Sequence, residues 1–272
     1  MTPFLCGMCG VQYEPSIEPP AVCRVCEDAR QWVPREGQTW KAPEELRAAG
    51  HRNEFRELEP GLHGLRTTPT FAIGPRSLLV RTAAGNLLWD VPSHLDDESI
   101  EAIRGLGGIA AIAASHPHFY GAMVDWSDAF GGAPIHLPAA DRRWVMRRSP
   151  AIQFWEESCE LLPGLQAIRC GGHFEGSSVL HWPGGAEGRG VLLTGDGIMV
   201  VPAPGWVSFM RSYPNLIPLP ARRVAAIAAR VAPLRFDRIY GNPGWEKYLG
   251  EGAADAVQRS AQRYIDAIDD RE

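Results

Sequence analysis

The segment IAAIAASHPHFYGAMVDW, residues Ile109–Trp126, is the stretch on which the fold turns. Its first half is an apolar run of the length and composition of a buried strand. The run ends at Ser115, and two histidines follow with a single residue between them, His116 and His118. A pair spaced in this way can direct both imidazoles at one metal ion. The next two positions are Tyr120 and Gly121, where neither an acid nor a third histidine stands. Whatever ion the pair serves, its remaining ligands must come from elsewhere in the chain.

Working outward, DDESIEAIRGLGG (96–108) reads as a capped helix feeding that strand: acids at its start, apolar residues at helical spacing, glycines at its end. Before it, FRELEPGLHGLRT (55–67) and PTFAIG (69–74) read as short strand-like runs. SLLVRT (77–82) and NLLWDV (86–91) read as two strands of a hairpin around AAG. After it, ADRRWVMRRS (140–149) reads as helical, SSVLHW (177–182) and GVLLTGD (190–196) as strands, and LPARRVAAIAARVAPL (219–234) as an amphipathic helix. RFDRIYG (235–241) reads as a last strand and AADAVQRSAQRYIDAIDD (253–270) as a closing helix. This order predicts an α/β layered architecture.

Polar groups stand at the ends of the strand-like runs. Asp90 ends NLLWD, His116 and His118 follow IAAIAAS, His173 lies in CGGHFEG, and Asp196 ends GVLLTGD. Ligands at the carboxyl ends of neighbouring strands converge on one edge of a sheet. Three neutral imidazoles and a carboxylate suit a zinc ion that keeps a position open for water. His51, His63, His94, His136 and His181 have no partner motif and read as structural, and Cys159 and Cys170 as buried apolar thiols.

From about Leu62 to the C-terminus the chain resembles the metallo-β-lactamase fold superfamily. Asp90, LGGIAAIAASHPH, GGHFEGSSVL and VLLTGD stand in that family's order. The resemblance implies an αββα sandwich with the metal at one edge of its two sheets. The family's motif is H-x-H-x-D-H, whose Asp and last His serve a second metal. Tyr120 and Gly121 occupy those positions here, and RIYGNPGW (238–245) has no histidine where the family's last metal histidine usually follows the final strand. The resemblance thus implies a mononuclear site with His116, His118 and His173 as metal ligands and Asp196 as a fourth ligand or a catalytic group beside it. Asp90 more often braces the site's loops in that family. Tyr120 has two readings: a phenol that stabilises developing charge in catalysis, or a residue that packs in the slot left by an Asp.

Cys6, Cys9, Cys23 and Cys26 form a second set, C-x2-C and C-x2-C separated by GVQYEPSIEPPAV. Each C-x-x-C turn lets two thiolates face one ion, and two such turns complete a tetrahedron. A segment this short cannot bury a useful core, so a metal would supply most of its folding energy. It resembles a zinc ribbon. CGMCGVQYE also resembles the start of a rubredoxin-type knuckle, whereas CRVCE lacks that family's proline and glycine, which leaves zinc and iron both open. The expected organisation is a four-cysteine zinc-ribbon-like knuckle over residues 1–30, a linker with the short helix PEELRAA over 31–55, and the metallo-β-lactamase-like domain over 56–272.

The 272 residues carry a formal net charge of −5, which gives no reason to expect an electrostatically driven nucleic-acid binder. The sequence shows neither a basic leader with an apolar run nor a stretch able to span a bilayer, so a cytoplasmic protein acting on a small-molecule substrate is expected. Nothing in it signals an oligomeric state. Three functions follow from these residues. The first is a hydrolase whose single zinc activates water against an ester, thioester or lactone. The second is a mononuclear iron oxidoreductase of the same fold. The third is a degenerate, non-catalytic binding member.

Overall fold

The computed structural model describes residues 1–269. The closing helix and the third region were read as extending past 269, and that part lies outside the described residues. A first sheet has seven strands in sequence order: β1 (Arg52–Glu59), β2 (Leu62–Thr68), β3 (Ser77–Thr82), β4 (Gly85–Trp89), β5 (Ala111–Ala113), β6 (Ile135–Pro138) and β7 (Ile152–Trp155). A second has six, also in sequence order: β8 (Ser158–Leu162), β9 (Leu165–Arg169), β10 (Ser178–Trp182), β11 (Val191–Gly195), β12 (Arg238–Gly241) and β13 (Tyr248–Leu249). The α-helices longer than four residues are α1 (Pro43–Ala48), α2 (Asp97–Gly105), α3 (Met123–Ala129), α4 (Ala221–Val231) and α5 (Ala253–Ile268) among the described residues.

Alternation along the strands builds the four layers. Leu78 and Val80, Leu87 and Trp89, and Val191 and Leu193 face one shared cluster between the two sheets. Their neighbours Leu79 and Leu88 point the other way, into a cluster with Ile103 of α2 and Trp126 of α3. Leu192 points out of the second sheet, into a cluster with α4 and α5. Both faces of each sheet are therefore covered, which is why SLLV and NLLW are apolar without interruption. α4 supplies Val224, Ile227, Ala228 and Val231 to the core, the i, i+3, i+4, i+7 stripe of an amphipathic helix. At the start of α2, Asp96 accepts the Ser99 N–H at 2.6 Å through Oδ1 and the Asn53 N–H at 2.6 Å through Oδ2, capping the helix and tying it to β1.

Two local expectations are corrected. PTFAIG is not a strand: it forms a turn between β2 and β3, with Ala72 and Gly74 both at positive φ. ADRRWVMRRS is helical only over Ala139–Trp144, as a 3-10 turn. Tertiary contacts override its helix propensity there: Arg142 stacks 3.7 Å from the Phe154 ring centre, and the Met146 carbonyl accepts the Glu14 N–H at 3.2 Å.

The N-terminal knuckle is packed into the body. Its four cysteines belong to the same buried cluster as Leu65, Ile112 and Trp126. Gln12 Nε2 donates to Asp125 at 2.6 Å, and Arg147 bridges Gln12 and Asp125. The strand β1 begins at Arg52, ahead of the boundary drawn after residue 55.

β4, β5 and β6 run parallel in the first sheet, and β11 runs parallel to β12 in the second. The carboxyl ends of these strands meet at one edge of the sandwich, where the Ser178 N–H donates to the Ser115 carbonyl at 2.9 Å and joins the two sheets. The histidines and Asp196 are presented at that edge.

Candidate metal centres and the cavity between them

His116, His118, His173 and Asp196 meet there, each offering one ligand atom within 4.8 Å of the others, and all four are buried. His173 Nε2 lies 3.4 Å from His118 Nδ1, and Asp196 Oδ2 lies 3.5 Å from His116 Nε2 and 3.9 Å from His173 Nε2. Ligands at about 2.0–2.2 Å in a tetrahedral shell are separated by roughly 3.3–3.6 Å. The 3.4 and 3.5 Å spacings match that shell and the 3.9 Å one is slightly wider, and the donor set fits a divalent cation.

The groups behind the ligands orient them. Asp90, 1% exposed and held at φ 55, accepts the Ser115 N–H at 2.7 Å and its Oγ–H at 2.8 Å. Ser115 Oγ then accepts from His116 Nδ1 at 2.9 Å, which leaves the Nε2 lone pair directed at the site. His173 Nδ1 donates to the Met210 carbonyl at 3.2 Å with the same consequence. Burial lowers the His118 pKa well below its usual range and that of His173 to about 3, so both imidazoles are neutral donors at neutral pH. Asp90 is a brace, pushed up to about 6 by burial, and Asn242 Nδ2 donates to its other oxygen at 3.0 Å.

The same residues explain the shortened motif. Asn242, just beyond β12, bonds to Asp90 and to the backbone of Arg76, so its side chain is not offered to the cavity. Gly121 sits at φ 47, and a Cβ there would lie 2.2 Å from the Val91 carbonyl oxygen. No side chain fits. Gly121→Ala is expected to destabilise the fold by about 3 kcal/mol or more, from the forced left-handed backbone and the backbone clash together; a urea unfolding midpoint equal to wild type would contradict this. Tyr120 is fully buried, its hydroxyl has no hydrogen-bond partner among the described residues, and it is absent from the cavity wall. Burial and the nearby Asp141 carboxylate raise its pKa well above the usual phenol range. Tyr120→Phe, which removes a buried unpartnered hydroxyl, is expected to be neutral or to stabilise by about 1 kcal/mol, measured as the change in thermal midpoint.

Cys6, Cys9, Cys23 and Cys26 form the other cluster, with Cys6 and Cys26 sulfurs 3.6 Å apart and Cys9 and Cys23 sulfurs 3.7 Å apart. A tetrahedral thiolate shell at about 2.3 Å has edges of roughly 3.8 Å. Hydrogen bonds from Cys23 and Cys26 draw the Cys6 thiol down, while burial pushes Cys9 up. As four thiolates at these separations they could hold one cation. Cys159 and Cys170, read as buried, are each partly exposed instead.

A cavity of about 320 Å³ opens onto His118, His173 and Asp196. Its walls are largely apolar: Met8 and Trp32 from the knuckle side, with Ile73, Met199 and Pro214 opposite. Arg30 also reaches it. This guanidinium is 2% exposed, pairs with Asp28 at 2.7 Å and Glu175 at 3.2 Å, donates through Nε to the His173 carbonyl, and lies 4.3 Å over the Phe174 ring. Ser212 Oγ donates to the Arg30 carbonyl at 3.0 Å, and Asn215 Nδ2 donates to those of Ala29 and Gln31. The chain leaving Cys26 is thus wedged between the His173 loop and the 210–215 loop. Tyr213, on that second loop, lines the cavity and donates its hydroxyl to the Asp196 carbonyl at 3.0 Å. Sequence reasoning missed Arg30, which stood in a polar linker; Tyr213 belongs to the aromatic stretch GWVSFMRSYPNLIPLP (205–220), which by sequence alone reads equally as pocket wall or core.

No family model matches the chain. Among solved structures, TMB-1 aligns with a TM-score of 0.60 at 15% identity, over 79% of this chain and 98% of that one. The DIM-1 metallo-β-lactamase aligns with 0.58 at 11% identity, over 79% and 98%. A B3 metallo-β-lactamase with an active-site glutamic acid aligns with 0.52 at 16% identity, over 85% and 97%. The sandwich is the metallo-β-lactamase fold with a four-cysteine cluster at its N-terminus. In sequence, the protein YmaE of Bacillus subtilis (strain 168), itself uncharacterised, is 48% identical over 267 residues, covering 97% of this chain and 96% of that protein. The chain accordingly belongs to the family of YmaE, built on the metallo-β-lactamase fold.

Proposed function

We propose that the protein is a metal-dependent hydrolase that opens an ester, thioester or lactone bond at a mononuclear zinc site. The observation that carries this reading is the convergence of three buried imidazoles and one carboxylate beside an apolar cavity that His118, His173 and Asp196 line. His116 Nε2, His118 Nδ1, His173 Nε2 and Asp196 would hold the ion, and Cys6, Cys9, Cys23 and Cys26 a second, structural one. When bound, the site metal supplies Lewis-acid activation of water near neutral pH.

The chain's own residues do the rest. Asp196 Oδ1 is buried with no hydrogen-bond partner among the described residues, an acceptor that could take a proton from a water in the cavity. Tyr213, whose pKa burial raises well above the usual range, keeps its proton and holds the Asp196 backbone in place. It, rather than Tyr120, is the phenol at the cavity. Arg30 is neutralised by Asp28 and Glu175, so the cavity offers no free cation, and its apolar walls favour a small uncharged acyl group. All six thiols are free, which suits the reducing cytoplasm.

The test is elemental analysis of purified protein followed by a panel of uncharged short-chain esters, thioesters and lactones. About two zincs per chain and turnover on neutral substrates are expected. Iron at the histidine site would replace this reading with the oxidoreductase, and a filled site without turnover on the panel would leave the binding member.

A further inference from the structure

A second cleft, of about 840 Å³, lies between the knuckle and the segment that follows β6. Arg24 lines it from the knuckle side, and Arg142, Arg143 and Arg148 from the other. Sites for small molecules commonly occupy roughly 300–1,000 Å³, so this concavity has the size of one. Four guanidiniums share it with one carboxylate, that of Glu14. Glu14 accepts from the Arg148 backbone N–H at 2.8 Å and forms no ion pair with a guanidinium of the cleft.

Only Arg143 has an acidic neighbour, Glu175 at 3.5 Å, and both side chains are more than half exposed. Arg24, Arg142 and Arg148 have no carboxylate within ion-pair distance among the described residues. Two of the guanidinium planes are oriented in advance, Arg142 at 3.7 Å over the Phe154 ring and Arg143 at 4.7 Å over the Trp144 ring. Stacking fixes the plane of the fork and leaves its N–H edges free, the geometry that suits bidentate recognition of phosphate oxygens. This concentration of positive charge stands in a chain of net charge −5, whose overall field disfavours a long polyanion but not a small one held in a concave site.

We propose that this cleft binds a small molecule bearing at least two adjacent phosphate groups, gripped between Arg24 of the knuckle and Arg142 and Arg148 of the body. The site is separate from the metal cavity, with which it shares no lining residue.

The test is calorimetric titration of inorganic pyrophosphate into the metal-loaded protein, with metal content measured before and after, in wild type, Arg142→Ala/Arg148→Ala and the single variant Arg24→Ala. Saturable one-to-one binding that weakens with added salt is expected. Each variant should weaken it, the double one by at least about tenfold from the loss of two charge-assisted contacts, with metal content unchanged. A parallel titration with single-stranded RNA separates the alternative source of phosphate. Tighter binding of RNA than of pyrophosphate would overturn the proposal. So would absence of pyrophosphate binding, equal binding in wild type and Arg24→Ala, or binding that strips metal from the protein.

Discussion

His173→Ala is expected to empty the histidine site while leaving the four-cysteine cluster filled. Changing even a group behind a metal ligand weakens binding by about 10–100-fold, so loss of the ligand itself should lower affinity by more than about a hundredfold. Neutral His173 contributes its Nε2 at 3.4 Å from His118 Nδ1, and no other imidazole is near enough to replace it. Turnover on any ester or lactone found to be a substrate should fall with the metal. The measurement is elemental analysis paired with initial rates, with His181→Ala as control because His181 bonds the Arg235 carbonyl at 2.9 Å, away from the site. Full activity in metal-free His173→Ala protein would end the hydrolase reading.

Cys23→Ser is expected to do more than empty the knuckle. Cys23 is fully buried in the main cluster, its sulfur lies 3.7 Å from that of Cys9, and the Tyr13 hydroxyl donates to it at 3.3 Å. Losing a structural metal there removes folding energy outright, and the chain beyond Cys26 carries Arg30 to the carbonyl of His173. Destabilisation by about 3–5 kcal/mol, or roughly 10 °C in midpoint for a chain of this size, should be accompanied by weaker metal binding at the histidine site. Calorimetry and elemental analysis read both effects. A variant that loses only the knuckle's metal, with unchanged midpoint, would show that the knuckle is an appendage.

The linear pattern was enough for the layers and for the clustering of His116, His118, His173 and Asp196. Burial alternates with period two in a sheet and with period 3.6 in a helix, and both rhythms are written locally in SLLV, NLLW and ARRVAAIAARV. The two cysteine pairs were equally legible, because their spacing is itself the geometry of two metal-binding turns. Tertiary structure alone decided the rest. Tyr120 could be read as a catalytic phenol or a packing residue until its enclosure beside Asp141 was seen. Gly121 gained its reason from the Val91 carbonyl, a contact across thirty positions of chain. Arg30 carries no local signal, since its partners Glu175 and His173 lie far along the sequence, while the aromatic stretch around Tyr213 reads as pocket wall or core until its bond to the Asp196 carbonyl is seen. The stretch after Cys26 looked like a linker because its polar groups are satisfied by distant loops rather than by neighbours. Short-range periodicity is set by the backbone and survives in the sequence; the pairing of buried polar groups is set by which strands end at the same edge, and that exists only once the chain has folded.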